Sequence, residues 1–499
     1  MTLRTDDERS EESCARQRAR LRTRSLRAVT AAAVVALLAA CSSAPAAAPE
    51  DDTSSVVAFA DCSAVACEGS IDGAAYRILL PEEWNGTLLL WSHGYRSPQP
   101  APPSFSPVST QAEPAPGWDG SASPIADELL AQGYALAGSA YASNGWAVAD
   151  GIKAGEDLHA FFAEKVGQPK RTYVWGASLG GLITQVLAER NPDWVSGVMP
   201  TCGAVAGPIL NFDLALDVAY AIKALIDPEL KLTGFASWDE AVAEWQRAAA
   251  AVLAAGGDIA TGAPKLALIG AISDAPRQTK TFDGGDPVSQ LSAVGEAALT
   301  ALGFATFSRW EMEQRVGGNP SDNTAADYAS RVSADERALI ETISPGATDR
   351  LLAELAAAPR VAADPAAREA LSALGDPTGA IKDPTITLHT AADPLVIVQN
   401  QTVLADRASA NPDRTAKLVQ IYTAPPSSYD ASTGAPYGAG HCNFTPASLT
   451  ALVSLMDAWV REGTFPTANA IDEAFGADNG QESFFKPGAW PAPEAVEEG

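Results

Sequence analysis

Short, nearly continuous apolar runs recur along the chain, and between them apolar residues return every three or four positions. The first pattern reads as a strand and the second as an amphipathic helix. Strand-like runs lie at 76–80, 87–91, 134–139, 172–175, 195–199, 385–389 and 417–422. Helical patterns lie at 125–132, 154–166, 182–190, 403–408 and 446–461. Strands that are apolar at consecutive positions are buried on both faces, as in parallel sheets covered by crossover helices. The alternation predicts an α/β fold, a mostly parallel, doubly wound sheet.

Two stretches break the rhythm. Residues 96–124 contain eight prolines and no clear period. They predict an ordered surface excursion near the mouth of a site, or a flap. Residues 203–382 are Ala-rich, with helical runs such as 238–255 and 335–343 and few strand-like ones. That is too long for a loop, so it reads as a helical cap inserted between two sheet strands. The expected organisation is a first part of the core at 56–202, the cap at 203–382, a second part of the core at 383–465 and a tail at 466–499.

The N-terminus differs in kind. An Arg-rich segment from Arg16 to Arg27 precedes the apolar stretch 28–40, which has the length of a signal-peptide core and is too short to span a bilayer. It ends Leu38-Ala39-Ala40-Cys41, which resembles a bacterial lipobox. On that reading Cys41 is lipidated and membrane contact is by the lipid anchor alone; the alternative is a plain secretory signal cut near Ala40. Residues 41–55, small and acidic, then form a flexible tether. Residues 1–40 hold eight arginines and five acidic residues, so their removal takes the net charge from −27 to −30. So negative a chain repels nucleic acid, which is excluded as a partner. Cys62, Cys67, Cys202 and Cys442 remain after processing, an even number suited to two disulfides in an oxidising compartment. Cys62 and Cys67 are close enough to close a small loop, leaving Cys202 and Cys442 as the second pair. No spacing reads as a metal site, and no cofactor motif occurs.

The chemistry centres on Gly176-Ala177-Ser178-Leu179-Gly180, between the 172–175 strand and the 182–190 helix. A strand, a serine flanked by glycines and a helix make a sharp turn that presents the hydroxyl. A serine hydroxyl needs a base to take its proton. Of the four histidines, His441 lies in a Gly-rich loop after the last strand, Gly438-Ala439-Gly440-His441-Cys442. His159 reads as a surface residue, His389 as a strand end, and His93 as a brace of the Ser92-His93-Gly94 turn. Asp393 stands just past a strand end and is suited to hold the imidazole. Asp213 and Asp217 are rival acids.

Strand, Gly-x-Ser-x-Gly, helix, insertion, late Asp and later His together resemble the α/β-hydrolase superfamily over about 76–461, apart from the cap. The resemblance implies Ser178 as nucleophile, Asp393 as acid and His441 as base, in that order. It also implies an oxyanion hole from the backbone N–H of Leu179 and a second donor in the His93-Gly94-Tyr95 loop, either the N–H or the hydroxyl of Tyr95. The His441-Cys442 pair resembles the His-Cys element of the tannase and feruloyl esterase group. There the partner Cys directly precedes the nucleophile; here that position is Ala177, and Cys202 would reach Cys442 by another route. No His-Gly-Gly-Gly or His-Gly-Gly-Pro-Gly occurs, and a Ser nucleophile disfavours dehalogenase or dienelactone chemistry.

These readings imply an exported serine hydrolase acting on a small-molecule ester, with no cofactor. A peptidase or amidase with the same triad, using Glu311 or Glu313 to bind an amine, is the second reading. A non-catalytic surface binding protein is the third. Phe212, Trp238, Trp245 and Trp310 are candidates for either a pocket lining or the cap's own core, and Trp146 is expected to face the site.

Overall fold

The computed structural model describes residues 66–430, 437–476 and 485–491. The expected signal and tether, with Cys41 and Cys62, lie outside the described residues.

The strands are β1 (Ala66–Ile71), β2 (Ala74–Leu79), β3 (Thr87–Ser92), β4 (Ala135–Ser139), β5 (Arg171–Ala177), β6 (Gly197–Thr201), β7 (Thr385–Thr390) and β8 (Leu418–Thr423). They form one sheet in the order β1-β2-β4-β3-β5-β6-β7-β8. β1 pairs antiparallel with β2, and β2 with β4. Every other pairing is parallel. All residues of β3, β4, β6 and β7 are buried, which is why these strands read as continuous apolar runs. The order doubles back around β3, so consecutive crossovers fall on both faces of the sheet.

The core helices before the insertion are α1 (Pro124–Ala131), α2 (Val148–Lys165) and α3 (Leu179–Arg190). Between β6 and β7 run α4 (Gly207–Leu225), α5 (Trp238–Gly256), α6 (Ala263–Ser273), α7 (Pro287–Ala305), α8 (Phe307–Val316), α9 (Ala334–Ile343), α10 (Ala347–Ala357) and α11 (Pro365–Gly375). The chain ends with α12 (Asn400–Ala410), α13 (Pro446–Glu462) and α14 (Ala468–Phe475). Several starts are written locally. Ser123, Ser237 and Thr445 each accept a hydrogen bond from a first-turn N–H, and Pro124 and Pro446 occupy early helical positions where no N–H is needed.

One face of the sheet, with Leu89, Trp91, Tyr173, Trp175 and Met199, is covered by α1, α13 and α14. The other, with Leu88, Leu90, Val174 and Val198, is covered by α2 and α3. Each such side chain contributes about 1.5–3 kcal/mol by leaving water. The Pro-rich excursion is ordered: Ala115 and Trp118 are buried on the first face, and its Glu113 carbonyl lies directly on Gly138 of β4.

Helices α4 to α10 pack a core of their own, including Leu216, Tyr220, Trp238, Trp245, Ile269 and Leu302. Trp238 meets Phe307 and Trp310, and Trp245 meets Phe307, so these three tryptophans belong to the cap's interior. The run Pro287–Val316 is long and apolar enough to cross a membrane, yet it is mostly buried within this core.

Candidate active site

β5 ends at Ala177 and α3 begins at Leu179, leaving Ser178 between them at φ 59° and ψ −123°. A non-glycine residue in this region costs about 1–3 kcal/mol and persists only where its surroundings fix it. The Ser178 N–H donates to the Thr201 carbonyl at 3.0 Å, and its carbonyl accepts from Gly181 N–H at 2.9 Å. A Cβ at either Gly176 or Gly180 would collide with the Ser92 carbonyl oxygen at the end of β3. The two motif glycines are therefore required by the close approach of that strand. A Cβ at Gly94 would sit 3.2 Å from the Ser178 Cβ, so the turn after β3 passes beside the serine.

Leu179 is the first residue of α3, and its N–H has no acceptor within the helix. Tyr95 rests its ring on Phe304, with centroids 5.4 Å apart. Both line the same cavity as Ser178.

Asp393 is fully buried in the loop after β7. Its Oδ1 accepts the N–H groups of Leu395 and Val396 at 2.9 and 3.0 Å. Its Oδ2 accepts Nδ1–H of His441 at 2.8 Å. Burial alone would raise its pKa. The adjacent His441 and His389 imidazoles and the backbone N–H groups outweigh that and hold the carboxyl below the usual carboxylate range.

His441 sits on the loop after β8, strapped to the Asp393 loop at several points. Ala392 N–H donates to Gly438 O at 3.1 Å, Gly440 N–H to Ala392 O at 2.8 Å, and Thr390 Oγ1 to Gly440 O at 3.0 Å. Gly438 has φ 89°, and a Cβ there would meet the Ala424 carbonyl carbon at 2.6 Å. The residue after His441 is bridged: Cys202 and Cys442 form a disulfide with Cα atoms 5.3 Å apart. Cys202 directly follows β6, the neighbour of the nucleophile strand, so the bridge ties the histidine loop to the sheet beside the elbow. Cys67 is also disulfide-bonded; its expected partner Cys62 lies outside the described residues. His441 Nε2 is 3.4 Å from Cys442 Sγ and is not hydrogen-bonded to Ser178. Such bonds are often long without substrate and tighten when it binds.

The other histidines are occupied elsewhere. His93 is buried, donates from Nδ1 to Gly94 O at 2.7 Å and stacks on Tyr141 at 3.9 Å. Burial and then Arg96 push its pKa down to about 3, so it is neutral. His389, inside β7, donates from Nε2 to Val396 O at 2.9 Å and accepts from Gln401 Nε2 at 3.0 Å. His159 corrects an expectation: it is buried rather than on the surface, because its ring stacks on Trp194 at 4.0 Å. The rival acids are engaged in the cap, Asp213 with Arg368 and Asp217 with Arg331, each at 2.8 Å. Glu311 accepts Trp146 N–H at 2.9 Å and pairs with Arg315, and Glu313 accepts Gly234 N–H at 2.8 Å. Both glutamates are buried braces.

The cavity over Ser178 encloses about 790 Å³ of space between atoms, counting its open mouth. Its walls come from α4, α7 and the loop after Asp393, with Trp146 and Phe212 meeting edge to face at 5.0 Å. Trp146 thus faces the site, as expected, and Phe212 lines it. Sequence reasoning named the His93-Gly94-Tyr95 loop but missed the α7 wall of Ala297 and Ala301 and the Pro394–Ile397 segment. The apolar run directly after Asp393 was the available signal for the last. Cys202, His441 and Cys442 place three ligand-type atoms within 4.8 Å, but the sulfurs are bonded to each other and are not the thiolates that bind zinc.

No family model and no curated protein matches this chain. Solved structures similar to it include a ligand-bound form of the rice cell wall degrading esterase LipA from Xanthomonas oryzae, at 14% identity over 78% of this chain and 85% of that one, with TM-score 0.33. Feruloyl esterase B from Aspergillus oryzae is 14% identical over 80% of each chain, with TM-score 0.36. A putative dipeptidyl aminopeptidase IV from Bacteroides ovatus ATCC 8483 is 9% identical over 72% of this chain and 32% of that one, with TM-score 0.31. The fold rests on the chain's own topology. A mostly parallel sheet ordered β1-β2-β4-β3-β5-β6-β7-β8, with a serine at the turn from β5 into α3, is the α/β-hydrolase fold.

Proposed function

We propose that the protein is an exported serine hydrolase that cleaves carboxylic esters. One observation carries this reading: the 2.8 Å contact from His441 Nδ1 to the buried Asp393 carboxylate, on a loop bridged to the strand beside Ser178. In the proposed cycle Ser178 Oγ attacks the ester carbonyl carbon and His441 Nε2 takes its proton. Asp393 fixes the tautomer and stabilises the imidazolium. The oxyanion is held by the N–H groups of Leu179 and Tyr95. The alcohol leaves with the proton from His441, water then attacks the acyl-enzyme with His441 as base, and the acid is released. Ester rather than amide is favoured because Glu311 and Glu313, the candidates for binding a substrate amine, are held by the Trp146 and Gly234 N–H groups. Export, with or without lipidation at Cys41, is supported by the Cys202–Cys442 bridge, a bond of oxidising compartments.

The test is hydrolysis of a matched panel of p-nitrophenyl esters and p-nitroanilides by the wild type and Ser178→Ala. Ester turnover by the wild type, lost at least 10³-fold in the variant with its thermal unfolding unchanged, is the expected result. Equal turnover by both proteins would contradict it.

A further inference from the structure

The walls of the cavity over Ser178 show which part of a substrate they receive. Among the described residues, no acidic or basic side chain lines it. Among its polar members Asn211 and Ser273 are already engaged, and the Trp146 indole N–H offers one neutral donor. Asn211 donates to Gly207 O at 2.8 Å and to Asn400 Oδ1 at 3.0 Å, and its own oxygen accepts from Asn400 at 3.3 Å. Ser273 donates back to Ile269 O at 2.8 Å. A hydroxyl, amine or carboxylate lodged among these walls would lose its water and find no charged partner. Hydrocarbon loses nothing.

Shape points the same way. Ala297 and Ala301 are four residues apart on α7 and so share one helix face toward the cavity. Their methyl groups set that wall back, while Leu214 and Val218 of α4 and Ile397 of the acid loop supply the others. The cap therefore leaves a greasy space that begins at the serine.

We propose that this space is an acyl-binding site for saturated aliphatic chains, which makes the substrates esters of medium-length fatty acids. The proposal rests on Ser178 being the nucleophile. The acyl part is assigned to it because that part stays covalently attached until water releases it, whereas the alcohol must leave early. Each added methylene on the acyl side should raise kcat/KM about fourfold until the space is full. A hydroxylated aromatic acyl group of the same size should be disfavoured roughly ten- to hundredfold wherever its hydroxyl lies away from the Trp146 indole N–H and stays unpaired.

The experiment measures kcat/KM of the purified protein on p-nitrophenyl acetate, butyrate, octanoate and dodecanoate, on octyl acetate and on methyl ferulate. Ala301→Phe, which fills the space, and the milder Ala301→Leu are run beside it. The readout is the octanoate-to-acetate ratio within one sample, from which the folded fraction cancels. The expected result is a wild-type ratio above tenfold, a fall of at least tenfold in Ala301→Phe, and a smaller fall in Ala301→Leu. A wild type that prefers acetate, octyl acetate or methyl ferulate, or a ratio untouched by both substitutions, would overturn the proposal while leaving the ester-hydrolase reading intact. A wild type that turns over none of these esters would overturn both.

Discussion

At the carboxyl ends of the strands, Tyr141, Ser178 and Cys202 each hold a positive φ within two residues of β4, β5 and β6, and Cys442 does so after β8. In the whole stretch from α4 to α11 only Asp274 among non-glycine residues does the same. The cap instead concentrates buried charge. Arg331 and Asp217 pair at 2.8 Å with both side chains 4% exposed, and Arg309 is fully buried against Phe212 O, Asn319 and Ser321. The two regions thus use polar groups in opposite ways. The strand ends hold residues in strained geometry around the cavity: Ser178 lines it, while the Cys202–Cys442 bridge and the Tyr141–His93 stack brace the loops beside it. The cap pairs its polar groups internally, where they fix how helices meet and leave a hydrocarbon wall facing the serine.

Substitutions should therefore separate cleanly by region. The largest effect belongs to the strand ends. Asp393→Asn keeps the shape but favours the wrong imidazole tautomer, and should lower kcat by about 10⁴-fold with thermal unfolding within a few degrees of wild type. Initial rates with calorimetry on one preparation check this, and a loss under tenfold would remove Asp393 from the proposed triad. Next comes the cap. Arg331→Met leaves Asp217 buried without its cation, and should cost about 3–5 kcal/mol of stability in urea unfolding. Its kcat/KM on acetate esters, per titrated active site, should stay near wild type. A comparable loss of per-site activity with unchanged stability would show that the regions are not separate in this way.

The smallest effect, reckoned per pH unit, is a slope with pH. His93 and His389 are both held neutral by burial, with pKa values below that of a free imidazole. The unfolded chain therefore binds more protons than the folded one below about pH 6.5. Stability is full above that value and should fall on acidification, by up to ~1.4 kcal/mol per pH unit for each histidine. Asp393, held below its usual range, adds a loss only below about pH 4. Urea midpoints from pH 8 to 4 check the slope, and a flat profile would mean that the imidazoles are protonated in the fold.

What the sequence made legible divides along the same line. Seven strands lie within two residues of their predicted positions; burial on both faces writes a continuous apolar run in β3, β4, β6 and β7, while β2 alternates buried and half-buried residues. β1 escaped notice: Ala66–Ile71 has small residues, a half-exposed pattern, and a glycine set against the Tyr76 ring. α2 begins at Val148 rather than near 154. Gly151 and Gly155 lie where the helix presses on Ile183 and Leu187 of α3. The triad candidates were visible as local motifs after strands. The cap's contribution was not, since an alanine facing a cavity and an alanine in a helix core look identical in sequence.

The most direct test of the central claim is intact mass after treatment with a fluorophosphonate, with Ser178→Ala alongside. A single stoichiometric adduct on the wild type, mapped to Ser178 and missing from the variant, is the predicted result. A folded wild type that takes no adduct, or an adduct that persists in Ser178→Ala, would contradict it.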